Sequence, residues 1–275
     1  MSNIIAITNH KGGCAKTTSA ANLGAALAAA PLRQRVLLID ADPQANLSTM
    51  FGCEPELPGL RLEDALENNT APAPPAAWHA RPLPDGPPVP LAGGIHLLPC
   101  TEDLDVVVAD HITARTPDFQ YRLRELVSRL REDYDYVLID TPPGRQPLST
   151  MALLAADWVI APIRPADFDV DGAIGLVDML DSEIAAYNPN IRMLGVLVTQ
   201  TDRRWKIGED ARAALSRAGI GILAREIPFA VRVGQAPRFL APTIVLEPDS
   251  RVGSAYRDVA TAIHTCINTL APAAA

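Results

Sequence analysis

Short apolar runs recur along the chain, and between them lie stretches in which apolar residues repeat every three or four positions. The short runs are typical of buried strands, and the longer period is typical of amphipathic helices. Strands are predicted at residues 4–8, 35–40, 95–99, 134–140, 158–162, 191–199 and 243–246. Helices are predicted at residues 17–30, 104–112, 119–131, 208–218 and 254–270, and a further helix ends at residue 186.

This alternation of strands and helices determines the predicted fold class. It predicts an α/β fold in which a mostly parallel, twisted sheet carries helices on both faces. Residues 68–94 have no regular period and hold eight prolines, and the strand pattern resumes at residue 95. We therefore expect one domain over residues 1–275, with a Pro-rich surface insertion at about 68–94.

A Gly-rich stretch lies between the first predicted strand and the first predicted helix. Residues 9–18 read Asn-His-Lys-Gly-Gly-Cys-Ala-Lys-Thr-Thr. Backbone N–H groups around adjacent glycines can converge on an anion, and the positive end of the helix dipole favours negative charge there. Lys16 would reach the terminal phosphates of a nucleotide, and the Thr17 hydroxyl would face a magnesium ion. The predicted nucleotide-binding residues of the loop are Lys11, Gly12, Gly13, Cys14, Ala15, Lys16, Thr17 and Thr18.

The loop departs from the ordinary phosphate-loop spacing. Counted back from Lys16, the two glycine positions of G-x-x-x-x-G-K-[ST] are His10 and Ala15. Ala15 fits at little cost if its φ is negative, whereas a positive φ would strain its Cβ by about 1 kcal/mol. The chain holds three lysines, and two of them, Lys11 and Lys16, lie in this loop. Their presence beside the glycines favours phosphate binding over an incidental Gly-rich turn.

Carboxylates follow two of the predicted strands. Asp40 and Asp42 come at the end of the second strand, and Asp140 ends the strand at residues 134–140. Because the carboxyl ends of parallel strands open onto the ligand crevice, these side chains should emerge beside the phosphates. Asp140 in particular fits the carboxylate that holds magnesium in phosphoryl-transfer sites, commonly through a water.

Composition narrows the class of protein further. The 48% hydrophobic content allows a large core, and no apolar segment is long enough to span a bilayer. The four cysteines form no C-x-x-C pair, so a reduced cytoplasmic setting is expected rather than a disulfide framework. A net charge of −8 argues against a nucleic-acid binder as a whole, but residues 190–275 carry 11 basic and 7 acidic residues. That imbalance leaves room for one basic face.

The order of these motifs resembles the ParA family of the ParA/MinD superfamily, whose members carry a deviant Walker A loop. The resemblance rests on K-G-G-x-x-K-T-T in the loop, Asp40-Ala-Asp-Pro-Gln, Leu138-Ile-Asp-Thr-Pro-Pro, and Ile227-Pro followed by Val231-Arg-Val. It implies a P-loop NTPase-like fold, ATP and Mg²⁺ as cofactors, and a homodimer that closes over two ATP molecules. Ala15 departs from the usual Gly of this family.

The resemblance also implies roles for individual residues. Lys11, Lys16 and Asp42 would be catalytic, with Lys11 acting on the nucleotide of the partner subunit and Asp42 positioning the attacking water. Magnesium would lie at Thr17, Asp40 and Asp140. Pro228 and Phe229 match the usual adenine contact. Arg204 and Arg232 match the DNA-binding arginines, and Arg203, Lys206 and Arg238 could widen this basic patch for DNA phosphates.

The resulting expectation is a slow, Mg²⁺-dependent ATPase that binds double-stranded DNA nonspecifically and is stimulated by a ParB-like partner. It would move a chromosome, a plasmid or another cargo, and it would be cytoplasmic and nucleoid-associated, with no membrane partner. One alternative is a MinD-like membrane-attached ATPase, which is disfavoured because no basic residue follows Arg257. The others are a metabolic ATP-dependent enzyme on the same fold and a scaffold that binds nucleotide without hydrolysis.

Overall fold

The computed structural model describes residues 2–53, 61–69, 76–78, 94–165, 167–202 and 207–270. Within them the strands are β1 (Asn3–Ile7), β2 (Val36–Asp40), β3 (Ala76–Trp78), β4 (Ile95–Leu98), β5 (Tyr136–Asp140), β6 (Trp158–Ile163) and β7 (Arg192–Val198). They form one sheet in the order β3-β4-β2-β5-β1-β6-β7. Only β3 pairs antiparallel among these described strands. The predicted mostly parallel sheet is confirmed.

Helices lie between most of the strands and also follow the last one. They are α1 (Lys16–Ala28), α2 (Asn46–Met50), α3 (Leu62–Asn68), α4 (Asp103–Thr113), α5 (Arg122–Leu130), α6 (Pro147–Ala155), α7 (Asp167–Met179), α8 (Glu209–Arg217), α9 (Val231–Gln235), α10 (Thr243–Leu246) and α11 (Arg251–Leu270). None of the helices in the described part of the chain is both long and apolar enough to cross a bilayer.

The sheet separates two hydrophobic clusters. Successive side chains of a strand point to opposite faces, so Ile4 of β1 joins one cluster and Ile5 joins the other. The Ile4 cluster includes buried residues of α4, α5, α6, α7 and α8. The Ile5 cluster includes buried residues of α1, α2, α10 and α11. Because β1 is buried on both faces, its carboxyl end emerges between the two helical layers, where the Gly-rich loop begins.

Residues 243–246 correct one prediction, because they form the short helix α10 instead of a strand. Pro242 precedes this helix with φ −66°, and its carbonyl accepts a hydrogen bond from Val245 N at 2.9 Å. A short apolar run such as this one fits either a strand or a buried helical turn by its pattern alone. Its burial against α1 and α11, instead of pairing with β7, decides between them.

The Pro-rich insertion at about 68–94 lies largely outside the described residues. Its residues 76–78 form β3, which adds an antiparallel edge to β4. Residues 70–75 and 79–93 are not among those described. The surface insertion and the single-domain organisation therefore stay predictions.

Candidate nucleotide-binding site

The Gly-rich loop joins β1 to α1 and contains two left-handed residues. Gly13 has φ 74°, which glycine adopts without steric cost. Ala15 immediately precedes α1 with φ 67° and ψ 36°, so its backbone lies in the left-handed region, which residues with a Cβ usually avoid. The positive φ is the costly case of the two that the sequence leaves open, and it corresponds to about 1 kcal/mol of strain.

Hydrogen bonds from three strand ends hold this loop. Asn9 Nδ2 donates to Pro162 O of β6 at 2.7 Å, and Asn9 Oδ1 accepts from Lys11 N at 3.1 Å. Gly144 N, just beyond β5, donates to His10 O at 2.9 Å. Residues 199 and 200, just beyond β7, donate to the carbonyls of residues 14 and 13, respectively. The loop conformation is therefore fixed by protein contacts on its outer side.

The side chains of Lys16 and Cys14 donate to the same backbone carbonyl, that of Lys11. Lys16 Nζ donates to Lys11 O at 3.1 Å, and Cys14 Sγ donates to the same oxygen at 3.2 Å. Lys16 is 7% exposed, and Cys14 is fully buried. The Lys16 ammonium thus lies within the curve of the loop, where a phosphate chain would neutralise it.

A cavity of about 430 Å³ opens over the loop. Gly12, Gly13, Lys16 and Thr17 line one side of it, and Asp42 lines another. The remaining walls come from α2, Pro143 and α9 together with the turn that follows α9. The structure therefore brings six of the eight predicted loop residues together with the predicted water-positioning carboxylate, whereas Lys11 and Cys14 do not line this cavity.

Asp40 and Asp140 lie side by side at the carboxyl end of the sheet, where they are paired in the β2–β5 register. Both are fully buried. Asp40 Oδ2 accepts hydrogen bonds from Ser48 N and Ser48 Oγ, each at 2.8 Å. Burial raises the pKa of Asp40 to about 6, and the bonds from Ser48 oppose that shift.

Asp140 is less well satisfied than its neighbour. Neither of its buried carboxylate oxygens has a hydrogen-bond partner of good geometry among the described residues. Burial raises the pKa of Asp140, the Asp40 carboxylate raises it further, and the Thr17 hydroxyl and the Lys16 ammonium oppose the rise. A divalent cation fits this place, because it would supply positive charge to two adjacent buried carboxylates.

The donor set suits magnesium better than a metal that needs a full protein cage. No group of three or more His, Cys, Asp or Glu side chains suited to a metal occurs in the described residues. Magnesium usually takes one or two carboxylates and completes its octahedron with phosphate oxygens and waters. Thr17, Asp40 and Asp140 could hold such an ion.

The structure places the two predicted adenine contacts, Pro228 and Phe229, in different surroundings. Pro228 lines a second cavity of about 790 Å³ together with Thr201, Asp202, Ser250 and Arg251. Phe229 does not line this cavity, and its side chain is 61% exposed. Pro228 is thus placed at a recess that could accept a base, while Phe229 stands beside it on the surface.

The described residues include two of the five residues of the predicted basic patch, Arg232 and Arg238. Arg232 lies on α9, where its Nε is 2.8 Å from Glu247 Oε1 and its guanidinium lies 5.9 Å from the Phe239 ring centre. Arg203, Arg204 and Lys206 lie outside the described residues. Their roles stay predictions.

Four residues that support the site were not identified from the sequence: Asn9, Ser48, Thr199 and Gln200. Ser48 is separated from Asp40 by a turn, and residues 199 and 200 are far from the loop along the chain. Contacts of that kind leave no local pattern. Asn9 directly follows an apolar strand, and a polar residue at that position was the one available signal.

A parallel sheet with a strained phosphate loop at its centre and carboxylates on the flanking strand ends defines the class of P-loop nucleotide-binding proteins. The family model described as "AAA domain" matches residues 2–193. The chain belongs to the ParA family of partition ATPases, within the ParA/MinD superfamily. The family inferred from the sequence motifs is therefore confirmed.

Two named relatives carry this assignment. The chain is 35% identical over 260 residues to the chromosome partitioning protein ParA of Caulobacter vibrioides, covering 94% of this chain and 92% of the relative. It is 36% identical over 260 residues to the chromosome-partitioning ATPase Soj of Thermus thermophilus, covering 93% of each.

Solved structures support the fold. Cobyrinic acid a,c-diamide synthase from Mycobacterium smegmatis, solved with ADP and magnesium, is 27% identical with a TM-score of 0.73, covering 98% of this chain and 96% of that one. The cell division ATPase MinD of Pyrococcus furiosus is 24% identical, also with a TM-score of 0.73, covering 97% and 100%. The P-loop architecture predicted from the sequence is confirmed.

Proposed function

We propose that this chain is a Mg²⁺-dependent ATPase that switches between a DNA-bound dimer and a free form, and that a ParB-like partner drives its release. The observation that carries the ATPase assignment is the pair of buried carboxylates, Asp40 and Asp140, beside Thr17 of the phosphate loop. Neighbouring acids of this kind at the edge of an anion-binding loop suit a nucleotide with a divalent cation. The solved relative with ADP and magnesium supports the same ligands.

The described residues account for the chemistry as follows. Lys16 lies within the loop curve, where it would stabilise charge on the terminal phosphates. Asp42 lines the phosphate cavity and would orient the attacking water. Magnesium bound with ATP would neutralise charge that develops on the transferred phosphoryl group. Positioning and charge stabilisation suffice for slow hydrolysis, since this reaction needs little covalent participation from the protein.

Dimerisation supplies the switch in this proposal. Lys11 stands at the loop entrance, and its side chain would extend to the nucleotide of the partner subunit. A dimer that holds ATP would present two copies of the basic patch, so its affinity for DNA would exceed that of a monomer. The named relatives, one a chromosome partitioning protein and one a chromosome-partitioning ATPase, favour a chromosome or plasmid as the cargo.

Two variants test the nucleotide site. Lys16→Ala should abolish ATP binding or turnover, because it removes the cation within the loop. Asp42→Ala should leave ATP bound but uncleaved, so that the dimer persists. Phosphate release and light scattering after size exclusion would measure both, and normal hydrolysis by both variants would contradict the assignment.

DNA binding needs a separate test with a matched control. Arg232→Ala should weaken binding to a random-sequence duplex in the presence of ATP and reduce the salt slope by about 1. Arg35→Ala is the control, because Arg35 also forms an exposed ion pair, with Asp135, but lies directly before β2, at the amino ends of the strands. Equal effects of the two substitutions would contradict a DNA site at α9.

A further inference from the structure

Two carbonyls of the phosphate loop are bound by residues that directly follow β7. Gln200 Nε2 donates to Gly13 O at 2.7 Å, and Thr199 Oγ1 lies 3.1 Å from Cys14 O. These carbonyls belong to the two residues that precede Ala15. The bonds therefore act at the point where the loop enters its left-handed conformation.

The two donors are not equivalent. Thr199 Oγ1 lies 3.1 Å from Cys14 O and also 3.1 Å from Ile163 O, so its single hydroxyl proton is shared between two carbonyls. The Gln200 amide makes a shorter bond, to Gly13 O. Of the two side chains, Gln200 therefore makes the stronger hydrogen bond to the loop.

The backbone of Gln200 is itself left-handed, with φ 58°. Its neighbours are held on both sides: Thr199 N donates to Ile163 O at 2.7 Å, and Thr201 N donates to Ile227 O at 3.1 Å. A strained residue persists where the surrounding structure determines it in this way. The consequence of the kink is that the Gln200 side chain is directed at the phosphate loop.

We propose that Gln200 is a positioning residue that holds the phosphate loop in its anion-binding shape and offsets the strain at Ala15. This rests on the proposed nucleotide function of the loop. Glycine before α1 would need no such support, because it adopts positive φ without steric cost. The proposal therefore predicts that the contribution of Gln200 depends on the residue at position 15.

The test is a double-mutant cycle between the two positions. Gln200→Ala removes the amide, and Gln200→Met removes it while keeping the side-chain length. Each is made in the natural chain and in Ala15→Gly. Dissociation constants for ADP with Mg²⁺ are measured by titration calorimetry, and melting temperatures are measured without nucleotide.

In the natural chain, either change at Gln200 should raise the dissociation constant for ADP by about 3- to 10-fold, as expected for one lost hydrogen bond. It should also lower the melting temperature by about 2 °C. In the Ala15→Gly background both effects should shrink, with less than about a 2-fold change in affinity. This difference between backgrounds is what a merely structural hydrogen bond would not produce.

Gln34→Ala is the matched control. Gln34 also donates its Nε2 to a backbone carbonyl, that of Leu32 at 2.6 Å, but it lies between α1 and β2 at the other end of the sheet. It should leave ADP affinity unchanged in both backgrounds.

Two results would overturn the proposal: unchanged ADP affinity after both substitutions at Gln200, or the same loss of affinity with Ala and with Gly at position 15. If the natural chain binds no ADP at all, the proposed nucleotide function fails instead. The melting temperatures then still decide whether the two positions are coupled, and additive effects would refute the coupling.

Discussion

Replacing Ala15 with glycine should stabilise the nucleotide-free protein. A left-handed conformation costs an L residue about 1–2 kcal/mol, whereas glycine loses about 0.5–1 kcal/mol more conformational entropy on folding than alanine does. The difference between the midpoints of these two ranges is a net gain of about 0.75 kcal/mol for Ala15→Gly at φ 67°. For a domain of this size that gain corresponds to a rise in melting temperature of about 1–4 °C.

Two further alanine-to-glycine changes make the measurement specific, with calorimetry as the assay. Ala45 precedes α2 with φ 51°, so Ala45→Gly should also raise the melting temperature. Ala213 is exposed within α8, where glycine should cost about 1 kcal/mol. If Ala15→Gly lowers the melting temperature as Ala213→Gly does, the strain argument is wrong.

Two other predictions concern the layer formed by α1 and α11. Gly253→Ala should destabilise the protein by about 1–3 kcal/mol, because the new Cβ would lie 2.6 Å from Pro248 O. Gly175→Ala in α7 is the control: its Cβ would meet no atom within 4 Å, so it should leave the free energy of unfolding in urea unchanged or raise it. Burial raises the pKa of Tyr256 to about 12, above the usual 10. The contribution of this neutral phenol to the free energy of unfolding is therefore fully present below pH 10 and is lost as the pH rises towards 12. Tyr256→Phe should remove about 1.4 kcal/mol of the stability loss between pH 8 and pH 11, because pH 11 lies one unit above the usual pKa; guanidinium unfolding at the two pH values measures it. Tyr187→Phe is the control, because it removes a phenolic hydroxyl from an exposed side chain.

The sheet and the phosphate loop were predictable because their signals are local. A strand buried on both faces is a continuous apolar run, and a carboxylate at its end follows directly in the sequence, as in Asp40 and Asp140. The helix over residues 243–246 was missed because a single buried turn has too few positions to reveal a period.

The conformation of Ala15 and the contacts of Gln200 could not be predicted for a different reason. The sign of φ at Ala15 depends on the path the backbone must take from β1 to α1, which the residue type does not determine. Gln200 lies 187 positions from Gly13, and its role comes from the kink at the end of β7. Both features arise only when the strands are assembled into the sheet, so neither leaves a local pattern in the sequence.

The contact between α1 and α11 has a consequence for biosynthesis. Lys16 and Thr17 belong to α1, whose buried face packs on Tyr256 and its neighbours, with Ser19 Oγ 3.3 Å from the Tyr256 hydroxyl. At about 5–20 residues per second, α11 leaves the ribosome roughly 10–50 s after α1. Until then an apolar flank of α1 stays uncovered, so a chain that ends before α11 would expose apolar surface and would be prone to aggregate.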